Sequence, residues 1–173
     1  MRRLLEYLAN PPVWAVAAHR RAHRLWLRNH RLAALLVAAW ARVLTGVDIH
    51  PGATIGRRLE IGHGVGLVIG ASAEIGDDCE LLHGVTLGRK HGVVLPDGRR
   101  HPRLGHRVEV GAHAVLLGPI TVGDDAKIGA AAVVLNDVPA RWTAVGNPAR
   151  LLPPKAQRAP DGPAAVARDL AQE

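Results

Sequence analysis

Residues 104–133 read LGHRVE-VGAHAV-LLGPIT-VGDDAK-IGAAAV, five six-residue units in unbroken succession. Each opens on an aliphatic residue (Leu104, Val110, Leu116, Val122, Ile128) and carries a small or apolar residue at its fifth place (Val108, Ala114, Ile120, Ala126, Ala132). Val134 opens a further unit, with Val138 at its fifth place. The pattern extends upstream through Ile49, Ile55 and Ile61, then Ile69, Ile75, Leu81 and Leu87. The fifth places there are Ala53, Leu59, Val65, Ala73, Cys79 and Val85. A period of six matches neither an amphipathic helix nor an alternating strand. It is the pattern of a hexapeptide β-helix, in which each unit supplies one short strand and one corner, and three units make a coil. Openers and fifth residues are expected to face inward, Val65 and Cys79 among them. Gly follows the opener in eight units (Gly56, Gly62, Gly70, Gly76, Gly105, Gly111, Gly123, Gly129), where it is expected to permit a sharp turn.

Composition fits a narrow prism. The 173 residues contain no Phe and a single Tyr, which a wide core would recruit in greater number. One Cys excludes an internal disulfide framework and suits a reducing cytoplasm. The formal charge is +7, with Arg20, Arg21, Arg24, Arg28 and Arg31 forming what reads as a solvated basic helix face. No nucleic-acid-binding motif accompanies it. Glu6 and Asn10-Pro11-Pro12 interrupt any apolar leader, and the apolar window Leu32 to Leu44 contains Arg42 and is too short to span a bilayer.

Three regions follow. Residues 1–45 read as a helical segment, capped at Asn10, with Trp14, Trp26 and Trp40 packing it on the coils or on a neighbouring subunit. Residues 46–152 hold the coils, and 153–173 read as a flexible tail rich in Pro, Ala and charge. Two irregularities break the repeat. The openers Ile61 and Ile69 are eight apart, leaving two extra residues near His63. A loop, Gly88 to Arg103, separates Leu87 from Leu104. Interruptions of an array tend to carry function, because the repeat itself needs only to pack.

The polar candidates lie near the ends and breaks of the repeat. Asp48 and His50 sit at the entrance to the first coil, His63 sits at the first irregularity, and Arg100 and His101 end the loop. Asp48 and His63 are fifteen residues apart, a little under one coil of eighteen, so they are placed on adjacent coils near one corner. A carboxylate beside an imidazole can set its tautomer and stabilise the imidazolium of a general base; such a pair serves equally often as a structural hydrogen bond. Arg100 offers a planar fork for a carboxylate or phosphate. His19, His23, His30, His106 and His113 read as surface residues, and His19 and His23 lack a third ligand for zinc.

Four motifs in order carry a resemblance: Gly46-Val47-Asp48-Ile49-His50-Pro51, Ile61-Gly62-His63-Gly64-Val65-Gly66, Gly84-Val85-Thr86-Leu87-Gly88 and Arg100-His101-Pro102. Together with Val145-Gly146-Asn147-Pro148-Ala149-Arg150 they resemble the serine O-acetyltransferase family of hexapeptide-repeat acyltransferases. The resemblance implies a left-handed parallel β-helix that forms a homotrimer and binds acetyl-CoA between adjacent prisms, with no metal. It implies transfer of acetyl to the hydroxyl of L-serine, in the service of cysteine biosynthesis. His63 matches the general base and Asp48 its partner, while Arg100 and His101 match contacts to the acceptor. Ala112, Ala130 and Gly88 match positions along the CoA arm, and the loop from Gly88 to Arg99 would fold over it. Gly62 stands where the family usually has an Asp that helps hold serine, and His83 stands where amino-acid-specific members usually have another residue. The alternatives are an O-acetyltransferase for a sugar or another hydroxylated metabolite, and a non-catalytic β-helix scaffold.

Overall fold

The computed structural model describes residues 11–154; the expected cap at Asn10 and the tail beyond Pro154 lie outside them. Two helices, α1 (Pro11–Leu27) and α2 (Arg31–Thr45), pack on each other ahead of the coils. α2 ends on Gly46, whose φ of +70° suits glycine and whose N–H donates to the Arg42 carbonyl at 2.9 Å. No helix among the described residues is long and apolar enough to cross a membrane.

From there the chain visits three faces in rotation, each a stack of short parallel strands. The first face stacks β1 (Asp48–Ile49), β4 (Val68–Ile69), β7 (Thr86–Gly88), β10 (Val115–Leu117) and β13 (Val133–Val134). The second stacks β2 (Thr54–Ile55), β5 (Glu74–Ile75), β8 (Arg103–Leu104) and β11 (Thr121–Val122). The third stacks β3 (Glu60–Gly62), β6 (Glu80–Leu82), β9 (Glu109–Val110), β12 (Lys127–Ile128) and β14 (Thr143–Val145), and is closed by antiparallel β15 (Arg150–Leu152). Helices at one end and the reversed strand at the other cover edges that would otherwise invite further pairing.

All thirteen openers lie in strands and are buried. They stack in columns, such as Ile69, Leu87, Leu116 and Val134 on the first face. The fifth places are buried too, with one correction: Val65 is 68% exposed, and Leu67, fully buried, fills its place. The cause lies in the register. Gly62 aligns with Leu82, 20 residues on, whereas Val68 aligns with Thr86, 18 on, so two residues are extra between them. The repeat glycines also act differently from expectation. None of the eight has positive φ. Most are needed because the next coil comes close: a Cβ on Gly56 would lie 2.5 Å from the Gly76 carbonyl, and one on Gly76 2.3 Å from that of Gly105. The left-handed turns fall instead on Arg58, Asp78, Arg107, Asp125 and Arg141 at the corner between the second and third faces. Their charges alternate up that corner, and Arg107 pairs with Asp125 at 2.7 Å.

The first helix docks through Ala15, buried with the core of the coils, and through polar contacts. Arg20, expected on a solvated face, donates to the carbonyls of Ile55 and Gly56. Trp26 meets His50 edge-on at 5.0 Å, whereas Trp14 and Trp40 stand exposed. His19 is a further correction: it is only 3% exposed, and neither ring nitrogen has a hydrogen-bond partner. Burial, and then the positive fields of His23, Arg20 and His50, lower its pKa to about 4. The unfolded chain therefore binds a proton that the folded chain refuses. This contribution to stability is complete above the ordinary histidine value and is lost as pH falls towards 4, by roughly 2–3 kcal/mol. Urea midpoints at pH 7.5 and 4.5 should show the drop, and His19→Leu should flatten most of it. An undiminished drop in that variant contradicts the assignment.

Candidate functional site

β3 delivers His63 to the corner between the third and first faces, where the two extra residues lie. The bulge is tied by backbone hydrogen bonds from Gly64 to Gly62 (2.8 Å), Val65 to His63 (3.0 Å) and Gly66 to Gly46 (2.9 Å). His63 itself has a φ of +61°, a conformation that costs a non-glycine residue about 1 kcal/mol and points to an imposed position. Its ring is exposed and meets the His83 ring at 5.8 Å, nearly perpendicular; His83 in turn meets His113 at 4.8 Å. Extending the β6–β9 and β9–β12 register by two residues places Ala112 and Ala130 in the same column as His63 and His83. Ala112 and Ala130 continue that column from the imidazoles as a lane of small side chains along the prism.

Asp48 flanks the same corner, as its spacing predicts, but no hydrogen bond joins it to His63. Its carboxylate instead accepts from Arg42 at 3.2 Å. Arg42 was not among the residues the sequence singled out, and its helical setting gives no signal of the pairing.

Arg100 and His101 lie at the opposite edge of the first face, at its corner with the second. With Asp48, His50, Gly70, Ser72 and Arg89 they line one open pocket, which His63 does not enter. The His101 ring rests directly on Gly70, where any Cβ would come within 1.9 Å of it. Ser72 sets its tautomer: the Ser72 N–H and hydroxyl both reach His101 Nδ1, at 3.2 and 2.8 Å. Because the Ser72 oxygen also accepts from the Arg100 N–H at 2.9 Å, its own hydrogen is directed at Nδ1. Nε2 then carries the proton of the neutral ring and serves as a donor. Burial, reinforced by His50, Arg89 and Arg100, lowers the His101 pKa and favours that neutral form. Arg99 anchors the loop, buried and donating through Nη1 to the Ile120 carbonyl at 3.1 Å, so that Arg100 projects outward. Sequence reasoning missed Ser72 and Arg99.

The expected CoA positions divide in the same way. Ala112 and Ala130 lie in the His63 column, and Gly88 ends β7 on the far edge, aligned with Leu117. Gly62 is crowded, since a Cβ there would lie 2.5 Å from Leu82 Cδ2. Cys79 is buried as a core side chain, and burial raises its thiol pKa. Among the described residues no three His, Cys, Asp or Glu side chains converge as a metal would require.

No family model matches the chain. Individual proteins do. Serine acetyltransferase of Mycobacterium tuberculosis is 51% identical over 153 residues, covering 88% of this chain and 65% of that protein. Serine acetyltransferase of Helicobacter pylori is 52% identical over 145 residues, covering 84% of this chain and 83% of its own length. Soybean serine acetyltransferase complexed with serine superposes with a TM-score of 0.79 at 46% identity, over 84% of this chain and 58% of that one. The chain thus spans most of the Helicobacter protein and under two thirds of the other two. At 52% identity over a stretch that covers 84% of this chain and 83% of the Helicobacter protein, the chain belongs to the serine acetyltransferase family.

Proposed function

We propose that this chain transfers the acetyl group of acetyl-CoA to the hydroxyl of L-serine, giving O-acetyl-L-serine and CoA. Family membership supports the reaction, and the neighbour complexed with serine supports the acceptor. The observation that carries the reading is the pairing of an exposed imidazole at the end of a small-residue lane with a cationic, donor-rich cradle at Arg100 and His101.

His63 takes the proton from the serine hydroxyl as its oxygen attacks the thioester carbonyl. The C–O bond forms, the tetrahedral oxyanion collapses, and the C–S bond breaks. The leaving thiolate takes the proton back from the His63 imidazolium, so protons and charge balance. Arg100 pairs with the acceptor carboxylate, and His101 Nε2–H donates to the acceptor. Asp48 supports the imidazolium after exchanging Arg42 for His63. The acetyl-CoA arm follows Ala112 and Ala130 and is covered by the loop that begins at Gly88.

The base and the cradle occupy opposite edges of the first face, so one prism does not close the site. We propose a homotrimer with shared sites, in which the His63 edge of one prism meets the Arg100 edge of the next. The buried, reduced Cys79 is in keeping with a reducing cytoplasm.

Release of CoA from acetyl-CoA is expected with serine and to fall by about tenfold or more with homoserine or a neutral sugar, because the former misplaces the hydroxyl and the latter leaves Arg100 unpaired. Turnover with a sugar and none with serine reverses the acceptor assignment.

A further inference from the structure

His63 has unusually little to fix its ring. It lies on a bulge of two extra residues, in a left-handed conformation followed by Gly64 and Gly66 at φ +72° and +76°. Asp48, the obvious hydrogen-bond partner, is engaged by Arg42. The contact that remains to the imidazole is the neighbouring ring of His83, met nearly edge to face. Such contacts contribute about 0.5–1.5 kcal/mol between aromatic rings, enough to select one rotamer over another.

His83 is itself well anchored. It follows β6 directly, one residue past the Gly62–Leu82 register pair, which puts it beside His63. Its carbonyl accepts from the His113 N–H at 2.9 Å, and the His113 ring stands against it at 90°. The His113 ring in turn occupies the space over Gly84, where a Cβ would come within 2.2 Å of its Nδ1. A side chain at position 84 would therefore dislodge the third ring, and through it the second. The three imidazoles form a braced ladder whose first rung is His63. His83 Nδ1 is buried and has no hydrogen-bond partner, so the ring is held by packing and not by a polar bond of its own.

We infer that His83 is a positioning residue for His63: its ring, braced by His113, holds the base in the orientation that meets the acceptor hydroxyl. The inference rests on His63 acting as the base. A ring free to rotate spends less time within reach of the hydroxyl, and misplacement of about 1 Å can cost up to a hundredfold in rate. The loss should fall on kcat and leave the KM for serine, because His83 does not line the Arg100 pocket.

The experiment compares His83→Ala, His83→Phe, His113→Ala and His63→Ala in the full chain, measuring kcat and KM for serine and acetyl-CoA, with the thermal midpoint as a check on folding. Removal of the ring in His83→Ala should lower kcat about tenfold with the KM for serine within about twofold of the starting protein. His83→Phe keeps a flat ring without the nitrogens and should recover most of that loss. His113→Ala removes an exposed brace and should lower kcat by a smaller factor. Wild-type kcat in His83→Ala overturns the inference, as does a His83→Phe variant as slow as His83→Ala, since the ring nitrogens and not the packing would then be at work. If His83→Ala fails to fold, the His83→Phe and His113→Ala pair decides: recovery in the first with loss in the second supports positioning, and any other combination overturns it. Full activity in His63→Ala removes the base assignment and this inference together, whereas an inactive His63→Ala beside a fully active His83→Ala removes this inference alone.

Discussion

His63→Ala should lower kcat for acetyl transfer to serine by about a thousandfold, within the range that general base catalysis supplies. The substitution removes the group that accepts the hydroxyl proton and returns it to the leaving thiolate. It should not harm the fold, because the side chain is exposed and alanine relieves none of the packed columns; Ala131 already occupies a left-handed corner at φ +56° higher in the same array. Acetyl-CoA should still bind, since the lane along Ala112 and Ala130 is untouched. Steady-state rates and CoA titration together check both halves. A variant with near-normal kcat contradicts the role of His63, and one that no longer binds CoA contradicts the separation of base and lane.

Arg100→Ala should raise the KM for serine by about 10- to 100-fold, the equivalent of about 1.5–3 kcal/mol for a charge-assisted contact to the carboxylate. The KM for acetyl-CoA should stay near its starting value. The guanidinium is exposed and carries none of the loop's internal support, which rests on buried Arg99 and on the bond from the Arg100 N–H to Ser72, a bond alanine retains. Arg100→Lys should recover only part of the loss, because an ammonium lacks the planar fork. An unchanged KM for serine in Arg100→Ala places the acceptor carboxylate elsewhere.

The coils were legible because a period of six imposes itself on every unit. Each opener from Ile49 to Val134 is where its spacing puts it, since one narrow interior demands one kind of side chain at one interval. Legibility failed where geometry and not composition decides. Val65 and Leu67 are both aliphatic and two residues apart, and only the bulge determines which turns inward. Glycine after the opener suggested a turn, but the left-handed turns fall on Arg58, Asp78, His113 and Ala131, while the glycines make room for the next coil. His19 looks like any helix-surface histidine until α1 is laid on the first coil.

The site was legible in its members and not in its arrangement. His63 and the Arg100–His101 pair stood out because the repeat breaks beside them. Their separation by the width of a face is invisible in a linear spacing, and so is the diversion of Asp48 to Arg42. Ser72 fills an ordinary fourth position of its unit, and its control of the His101 tautomer appears only when the loop folds back onto it.

The shared site is the central claim, and co-expression of His63→Ala with Arg100→Ala tests it most directly. Each variant alone should be nearly silent at serine concentrations well below the raised KM. In randomly mixed trimers, about one interface in four joins an intact His63 edge to an intact Arg100 edge, so about a quarter of the unsubstituted activity should return. If base and cradle serve the same chain, no mixed trimer holds an intact site, and activity no higher than that of the two variants alone contradicts the account.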